Sequence, residues 1–326
     1  MAQSRINVSI GTVGVLGLAD VPMETAPTTA YLMLGGRCAM NCAFCAQARD
    51  STAGALKLSR VTWPEHDLEA VVDGLVAAAR SGAIKRACIQ VTVGRDSFAR
   101  TLDAVRAIKA RLPDLPVDAA ILPQDVGQAG ELLAAGLDHI GIGLDAASRE
   151  TFEQAKGPHW DRTWTMIEGL AAQYPRRVSV HLIVGLGETE RDVVEVIQRC
   201  QDMGVTVGLF AFTPLAGTPL ADRPQPPLAV YRRMQVARHL ICVKGARADM
   251  FRFAPGGELI DFGVNNLAEM LADGEAFRTS GCPDCNRPFY NERPGGVIYN
   301  YPRPLSAEEI AQAIASLGIA VGQGLR

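Results

Sequence analysis

With 326 residues, 48% of them apolar and 21% charged, the chain has a globular composition, which excludes the low-hydrophobicity, high-charge signature of disorder. Its formal net charge of −3 gives no reason to expect general binding to nucleic acid or to an anionic membrane. No run approaches the roughly 20 consecutive apolar residues of a membrane span, and the opening MAQSRINVSIG lacks the basic-then-apolar order of a secretory signal, so a cytoplasmic location is expected.

Residues 1–27 read as an N-terminal extension. From about residue 28 to 255, short apolar runs (TTAYLML, RACIQVTV, PVDAAIL, HIGIGL, RVSVHLIVGL and TVGLFAF) alternate with longer stretches such as SFARTLDAVRAIKARL, whose apolar residues recur at helical spacing. The runs are apolar at consecutive positions, as expected when helices cover one face of a parallel sheet and a core fills the other. Six strands are clear and ADMFRF is a weaker seventh. The expected fold is therefore α/β, a (β/α)8 or slightly incomplete TIM-type barrel, with function on loops at the carboxyl ends of its strands. Residues 256–326 are expected to complete the barrel. Their segment GCPDCNRPFYNERPGGVIYNYPRP reads as ordered irregular backbone, followed by a last helix announced by the capping-box spacing of Ser306 and Glu309.

Eight cysteines in a reducing compartment are better read for metal ligation or catalysis than as a disulfide framework. In RCAMNCAFC, Cys38, Cys42 and Cys45 lie close enough for one loop to wrap a cluster, directly after the first strand. A cubane needs four ligands, and three from protein leave one iron open to substrate or cofactor. Zinc is the rival reading, but a structural zinc site normally closes with a nearby fourth Cys or His, and the next histidine is His66.

CxxxCxxC with an aromatic residue before its last cysteine resembles the signature of the radical S-adenosylmethionine (SAM) superfamily. In that superfamily the three cysteines hold a [4Fe–4S] cluster whose open iron is chelated by SAM. An electron from the cluster cleaves SAM to methionine and a 5′-deoxyadenosyl radical, which takes hydrogen from an unactivated carbon. The protein must add orientation and exclusion of water. The likeness covers most of the chain and is closest to biotin and lipoyl synthases. CAQARDS is similar to the segment after the biotin synthase cluster loop, and IVGLGET to that enzyme's fifth-strand motif. The resemblance implies that Gly185 and Gly187 let backbone approach SAM, with Glu188 in the same cofactor site. It also places Asp145, at the end of IGIGLD, where biotin synthase has an aspartate contacting the SAM ribose. A helix N-terminal residue is the plainer reading of Asp145.

Departures from biotin synthase matter as much. That enzyme holds a second, sulfur-donating cluster with three cysteines and an arginine. Here Cys88 keeps one position and Arg252 stands near the arginine, but Ala120 and Ser179 stand near the other two cysteines. The chain instead offers Cys282 and Cys285 in GCPDC. The surrounding TSGCPDCNRPFYNERPGGVIYNYPRPL resembles the tail of the two-protein, archaeal-type lipoyl synthases. That resemblance implies an auxiliary [4Fe–4S] cluster on Cys282 and Cys285, with Cys88 as the third ligand, expected at a strand end facing the barrel mouth. Arg252 is expected near that cluster. Cys200 and Cys242, in helical segments, read as packed core thiols. His181 faces into or out of the barrel and reads first as a hydrogen-bonded interior histidine.

The implied activity is sulfur insertion into an octanoyl chain on a lysine of a lipoyl carrier protein, such as the glycine cleavage H protein, with the auxiliary cluster as sulfur donor. A second lipoyl synthase subunit would make the other insertion, and a ferredoxin or flavodoxin would supply electrons. The alternatives are a biotin synthase-like sulfurtransferase, a radical SAM mutase or lyase resembling methylornithine synthase or a hydrogenase maturase, and a binding protein whose cysteines only hold loops.

Overall fold

The computed structural model describes residues 4–54, 56–288, 290–292 and 295–319. In chain order the first elements are β1 (Arg5–Val8), α1 (Ile10–Val15), β2 (Thr29–Leu34), β3 (Lys57–Leu58), β4 (Val61–Thr62), β5 (Glu65–Asp67) and α2 (Leu68–Arg80). The repeating part continues with β6 (Arg86–Val91), α3 (Ser97–Arg111), β7 (Val117–Ala120), α4 (Val126–Ala134), β8 (His139–Asp145), α5 (Arg149–Lys156), α6 (Trp160–Gln173), β9 (Val178–Val184), α7 (Glu190–Asp202), β10 (Thr206–Ala211) and α8 (Leu228–Cys242). The chain then adds β11 (Arg252–Phe253), β12 (Leu259–Asp261), α9 (Leu267–Met270) and α10 (Ala307–Ala315).

One eight-stranded sheet runs β10-β9-β8-β7-β6-β2-β1-β5. From β2 to β10 all neighbours pair in parallel, while β1 joins β2 and β5 antiparallel. The α/β barrel of the incomplete kind is therefore what forms. Two details differ from the sequence reading. The N-terminal extension supplies a sheet strand, β1. ADMFRF supplies none: Ala248–Met250 is a 3-10 turn, and Arg252–Phe253 pairs only with β12, outside the main sheet.

Local chemistry sets the helix starts. The side chains of Asp67, Asp125 and Ser148 accept backbone N–H groups in the first turns of α2, α4 and α5. Thr189 with Asp192, and Ser306 with Glu309, form reciprocal capping boxes on α7 and α10.

Alternation along the strands divides two environments. Leu32, Ile89, Ala119, Ile142, Leu182 and Leu209 point outward into the helix-covered core and are at most 1% exposed. Each large aliphatic so placed contributes roughly 1.5–3 kcal/mol of burial. The opposite positions face the barrel lumen, and they carry Tyr31, Cys88, Gln90, Asp118, His181 and Phe210. The expectation of a core on both faces is corrected here, because the inner face is where the polar and thiol side chains gather.

Among the described residues the sheet does not close on itself, and β10 is an edge. Its outward backbone groups are taken by side chains instead of a ninth strand. Arg238 donates to the carbonyl of Val207 (3.1 Å), the N–H of Leu209 donates to Ser280 Oγ (2.9 Å), Arg287 donates to the carbonyl of Leu209 (3.2 Å), and Asn291 donates to that of Ala211 (2.7 Å). Three of these four residues belong to the irregular C-terminal segment, which crosses the amino-terminal end of the barrel and forms its floor.

Candidate active site

Cys38, Cys42 and Cys45 lie, half-buried, on the loop after β2, at the carboxyl end of the barrel. The loop is braced before any cofactor arrives. Backbone bonds run from Cys38 to Gln47, from Ala39 to Val93 and from Ala43 to Ala155, each 2.8 Å. The Arg37 guanidinium gathers the carbonyls of Ala46 (2.6 Å) and Ala53 (2.5 Å), and the N–H of Val93 donates to Cys38 Sγ (3.2 Å). Burial pushes Cys42 up to about 12 and Cys45 to about 11, so both are thiols until a metal displaces their protons. Three such sulfurs on one braced loop, opening onto a cavity of about 430 Å³, suit a multi-iron cluster in their donor chemistry. Among the described residues no three His, Cys, Asp or Glu side chains converge as a cage for a single ion.

The second set of thiols lies at the other end of the lumen. Cys88, Cys282 and Cys285 line one cavity of about 240 Å³ at the floor. Cys88 sits within β6, deep in the barrel, rather than at a strand end facing the mouth, because β6 runs on past it to Val91. Gln90 Nε2 approaches Cys88 Sγ at 3.1 Å, and the Tyr31 hydroxyl lies 3.4 Å from Cys285 Sγ. Arg86 holds the floor in place: it pairs with buried Asp118 at 2.7 Å and donates to the carbonyl of Pro283 at 3.1 Å. His139 Nδ1 lies 3.3 Å from the same Asp118 oxygen. Burial, with the Asp118 carboxylate next, raises the Cys282 thiol well above its usual range.

The two cavities meet. Cys45, Leu58, Gln90, Asp145 and His181 border both. His181 packs edge-on against Phe210, and burial pushes its pKa down to about 4, so it is neutral at physiological pH. Asp145 adopts φ +67° at the irregular end of β8, and Lys156 reaches it at 2.6 Å. The cap of the following helix is Ser148, so Asp145 is not a helix N-cap.

Gly185, Gly187 and Glu188 are set apart from the thiols. They form a tight turn after β9, with φ +108° and +135° at the glycines and the Gly185 N–H donating to Glu188 Oε1 at 2.6 Å. That turn lines a different cavity, with Arg223 and Pro226, and not the lumen. Arg252 is also removed from the site, because its exposed side chain pairs with Asp261 across the β11–β12 hairpin. The cations beside the floor thiols are Arg86 and Arg287, the latter stacked 3.8 Å from the Phe210 ring centre and bonded to the carbonyl of Ser280 at 2.7 Å. Cys200 is fully buried on α7 and Cys242 half-buried on α8, away from both thiol sets.

Sequence reasoning passed over Tyr31, Gln90, Lys156 and Arg287. Two of them were within reach of a simple signal: Tyr31 and Gln90 share the two-residue alternation that puts Cys88 in the lumen.

The radical SAM superfamily profile matches residues 32–200. The biotin synthase of Desulforudis audaxviator (strain MP104C) is 30% identical over 256 residues, covering 76% of this chain and 74% of that protein. That of Synechococcus sp. (strain JA-3-3Ab) is 29% identical over 222 residues, 63% of this chain and 66% of that protein. Among solved structures, HydG, a maturase of the [FeFe]-hydrogenase, aligns over 66% of this chain and 50% of its own with a TM-score of 0.52. Methylornithine synthase (PylB) aligns over 64% and 62%, also at 0.52. Both are 14% identical, a likeness of fold alone. The chain thus spans half to just under two thirds of these solved chains.

Proposed function

This chain belongs to the radical SAM superfamily, and from that premise we propose that it inserts sulfur into an octanoyl chain carried on a lysine of a lipoyl carrier protein, as a component of a lipoyl synthase. Membership implies a [4Fe–4S] cluster and SAM. The observation that carries the finer reading is that two sets of three thiols occupy opposite ends of one lumen. Cys38, Cys42 and Cys45 would hold the first cluster and leave one iron for SAM, and Cys88, Cys282 and Cys285 would hold the auxiliary [4Fe–4S] cluster. When bound, the first cluster supplies the electron that makes SAM a source of a hydrogen-abstracting carbon radical.

The chain's own residues supply position and dryness. Asp145 offers a carboxylate to ribose hydroxyls. Leu58, Ile183, Phe210 and Phe212 line the floor cavity with apolar surface, which keeps misplaced hydrogen donors away. His181 stays uncharged on the boundary between the two ends. Gly185, Gly187 and Glu188 act in this reading through the shape they give the end of β9. Arg287 sets a positive charge beside the thiolates of the floor. The partners proposed are an octanoylated carrier such as the glycine cleavage H protein, a second synthase subunit, and a ferredoxin or flavodoxin.

Iron analysis of the reconstituted protein separates sulfur insertion, with about eight irons per chain, from a mutase or lyase with about four. The Cys282→Ala, Cys285→Ala double variant should still release 5′-deoxyadenosine from SAM while making no thiolated product, and thiolation by that variant refutes the sulfur-donor role. A biotin synthase-like reaction is the second reading, favoured by the 30% identity over 76% of the chain. Product analysis with an octanoylated carrier peptide, with and without a partner subunit, against a sulfur-free biotin precursor decides between them.

A further inference from the structure

The last turn of α5 ties together two parts of the upper site that are far apart in sequence. Gly157, with φ +90°, ends the helix and makes Lys156 its last residue. From there the ammonium donates to Asp145 Oδ2 (2.6 Å) and to the carbonyl of Gly143, with the Phe152 ring centre 5.0 Å away. One residue earlier, the carbonyl of Ala155 accepts the N–H of Ala43, which lies in the middle of the thiol loop, at 2.8 Å. The α5 terminus thus grips the loop with one residue and Asp145 with the next.

Asp145 needs such a grip. Its backbone is left-handed, and the β8–β9 register shifts between Gly143 and Asp145. A non-glycine residue stays in that region only where its surroundings over-determine it. Lys156 and Asp145 are 10% and 16% exposed, so solvent screens their pairing far less than that of a surface pair. A lysine that merely complements the helix dipole would account for neither of its two bonds to β8.

We propose that Lys156 is a positioning residue that fixes the Asp145 carboxylate at a set distance and angle from the thiol loop, so that one SAM molecule is held by its ribose and at the loop together. The proposal rests on the reading of Asp145 as the ribose acceptor, and its test separates the two. Binding of SAM and of its 3′-deoxyribose analogue is measured by calorimetry on the anaerobic, iron-loaded protein, with iron content and thermal midpoint as controls. The wild type is expected to prefer SAM by about tenfold, and Lys156→Met to lose about tenfold in SAM affinity together with most of that preference. Lys156→Arg, which keeps the charge and a donor, is expected to recover part of both. A Lys156→Met protein that keeps wild-type SAM affinity or wild-type preference overturns the proposal. A wild type without preference overturns the reading of Asp145, and this proposal with it. Should Lys156→Met fail to fold or load iron, Lys156→Gln decides: lost preference supports positioning and retained preference overturns it.

Discussion

Removing Arg86 tests whether the floor of the lumen is held by the buried charge pair beneath the C-terminal segment. The Arg86 and Asp118 side chains are 7% and 5% exposed and 2.7 Å apart. In an Arg86→Met protein, Asp118 loses its guanidinium and keeps His139, at 3.3 Å, and the Cys282 thiol, while the carbonyl of Pro283 loses its donor. Breaking one side of a buried pair costs about 3–5 kcal/mol, because the remaining charge stays desolvated. For a chain of this length that corresponds to a fall in melting temperature of about 4–7 °C. An Arg86→Met, Asp118→Leu protein removes both charges and should recover more than half of the loss. Thermal melts of the metal-free, reduced protein under argon measure all three. If the single variant melts within about 2 °C of wild type, or the double variant melts lower than the single, the pair is not what secures the floor.

Gly217 has φ +86°, and a Cβ there would lie 2.5 Å from the Ala53 nitrogen, while its carbonyl accepts the Thr52 N–H at 2.9 Å. Gly217→Ala should cost roughly 1–3 kcal/mol and make the segment around residue 52 sensitive to protease, and an unchanged melt together with unchanged cleavage would count against that bracing. His181 sits at about 4 instead of 6.5, through burial first and then Arg287 and Lys156, with Asp145 pulling the other way. Below pH 6.5 the unfolded chain takes up a proton that folded His181 declines, so stability falls between pH 6.5 and about 4 by up to the order of 3 kcal/mol. Above pH 6.5 it contributes no slope. His181→Gln should flatten that acid limb in denaturant titrations run at successive pH values, and a limb as steep as wild type would show the ring to be less buried than drawn.

The barrel was legible in the sequence because its outward faces are continuous aliphatic runs with capped helices between them. What the runs concealed was their own alternation. In RACIQV every second letter is polar or a thiol, and in VSVHLIV Ser179 and His181 share the alternate positions with Ile183, so that Arg86, Cys88, Gln90, Ser179, His181 and Ile183 all line the lumen. The thiol loop was local in sequence, and so it could be found from spacing. The floor was not, since nothing in spacing brings Cys285 to Tyr31 across 254 positions. The resemblance to biotin synthase points to Arg252, yet Arg252 lies on a hairpin that turns outward, whereas Arg287 follows the CxxC by two residues and shares its loop. ADMFRF has strand-like composition, but a sheet strand needs a neighbour, and the flank of β10 is already occupied by side chains. Lys156 carried a signal too faint to use alone, a basic residue directly before the glycine that stops its helix.

A barrel fastened along one seam by side chains differs mechanically from one fastened all the way round by a ladder. Val207, Leu209 and Ala211 are held on that seam by side-chain hydrogen bonds to Arg238, Ser280, Arg287 and Asn291, each worth about 1 kcal/mol. Parting that flank leaves every strand pairing intact.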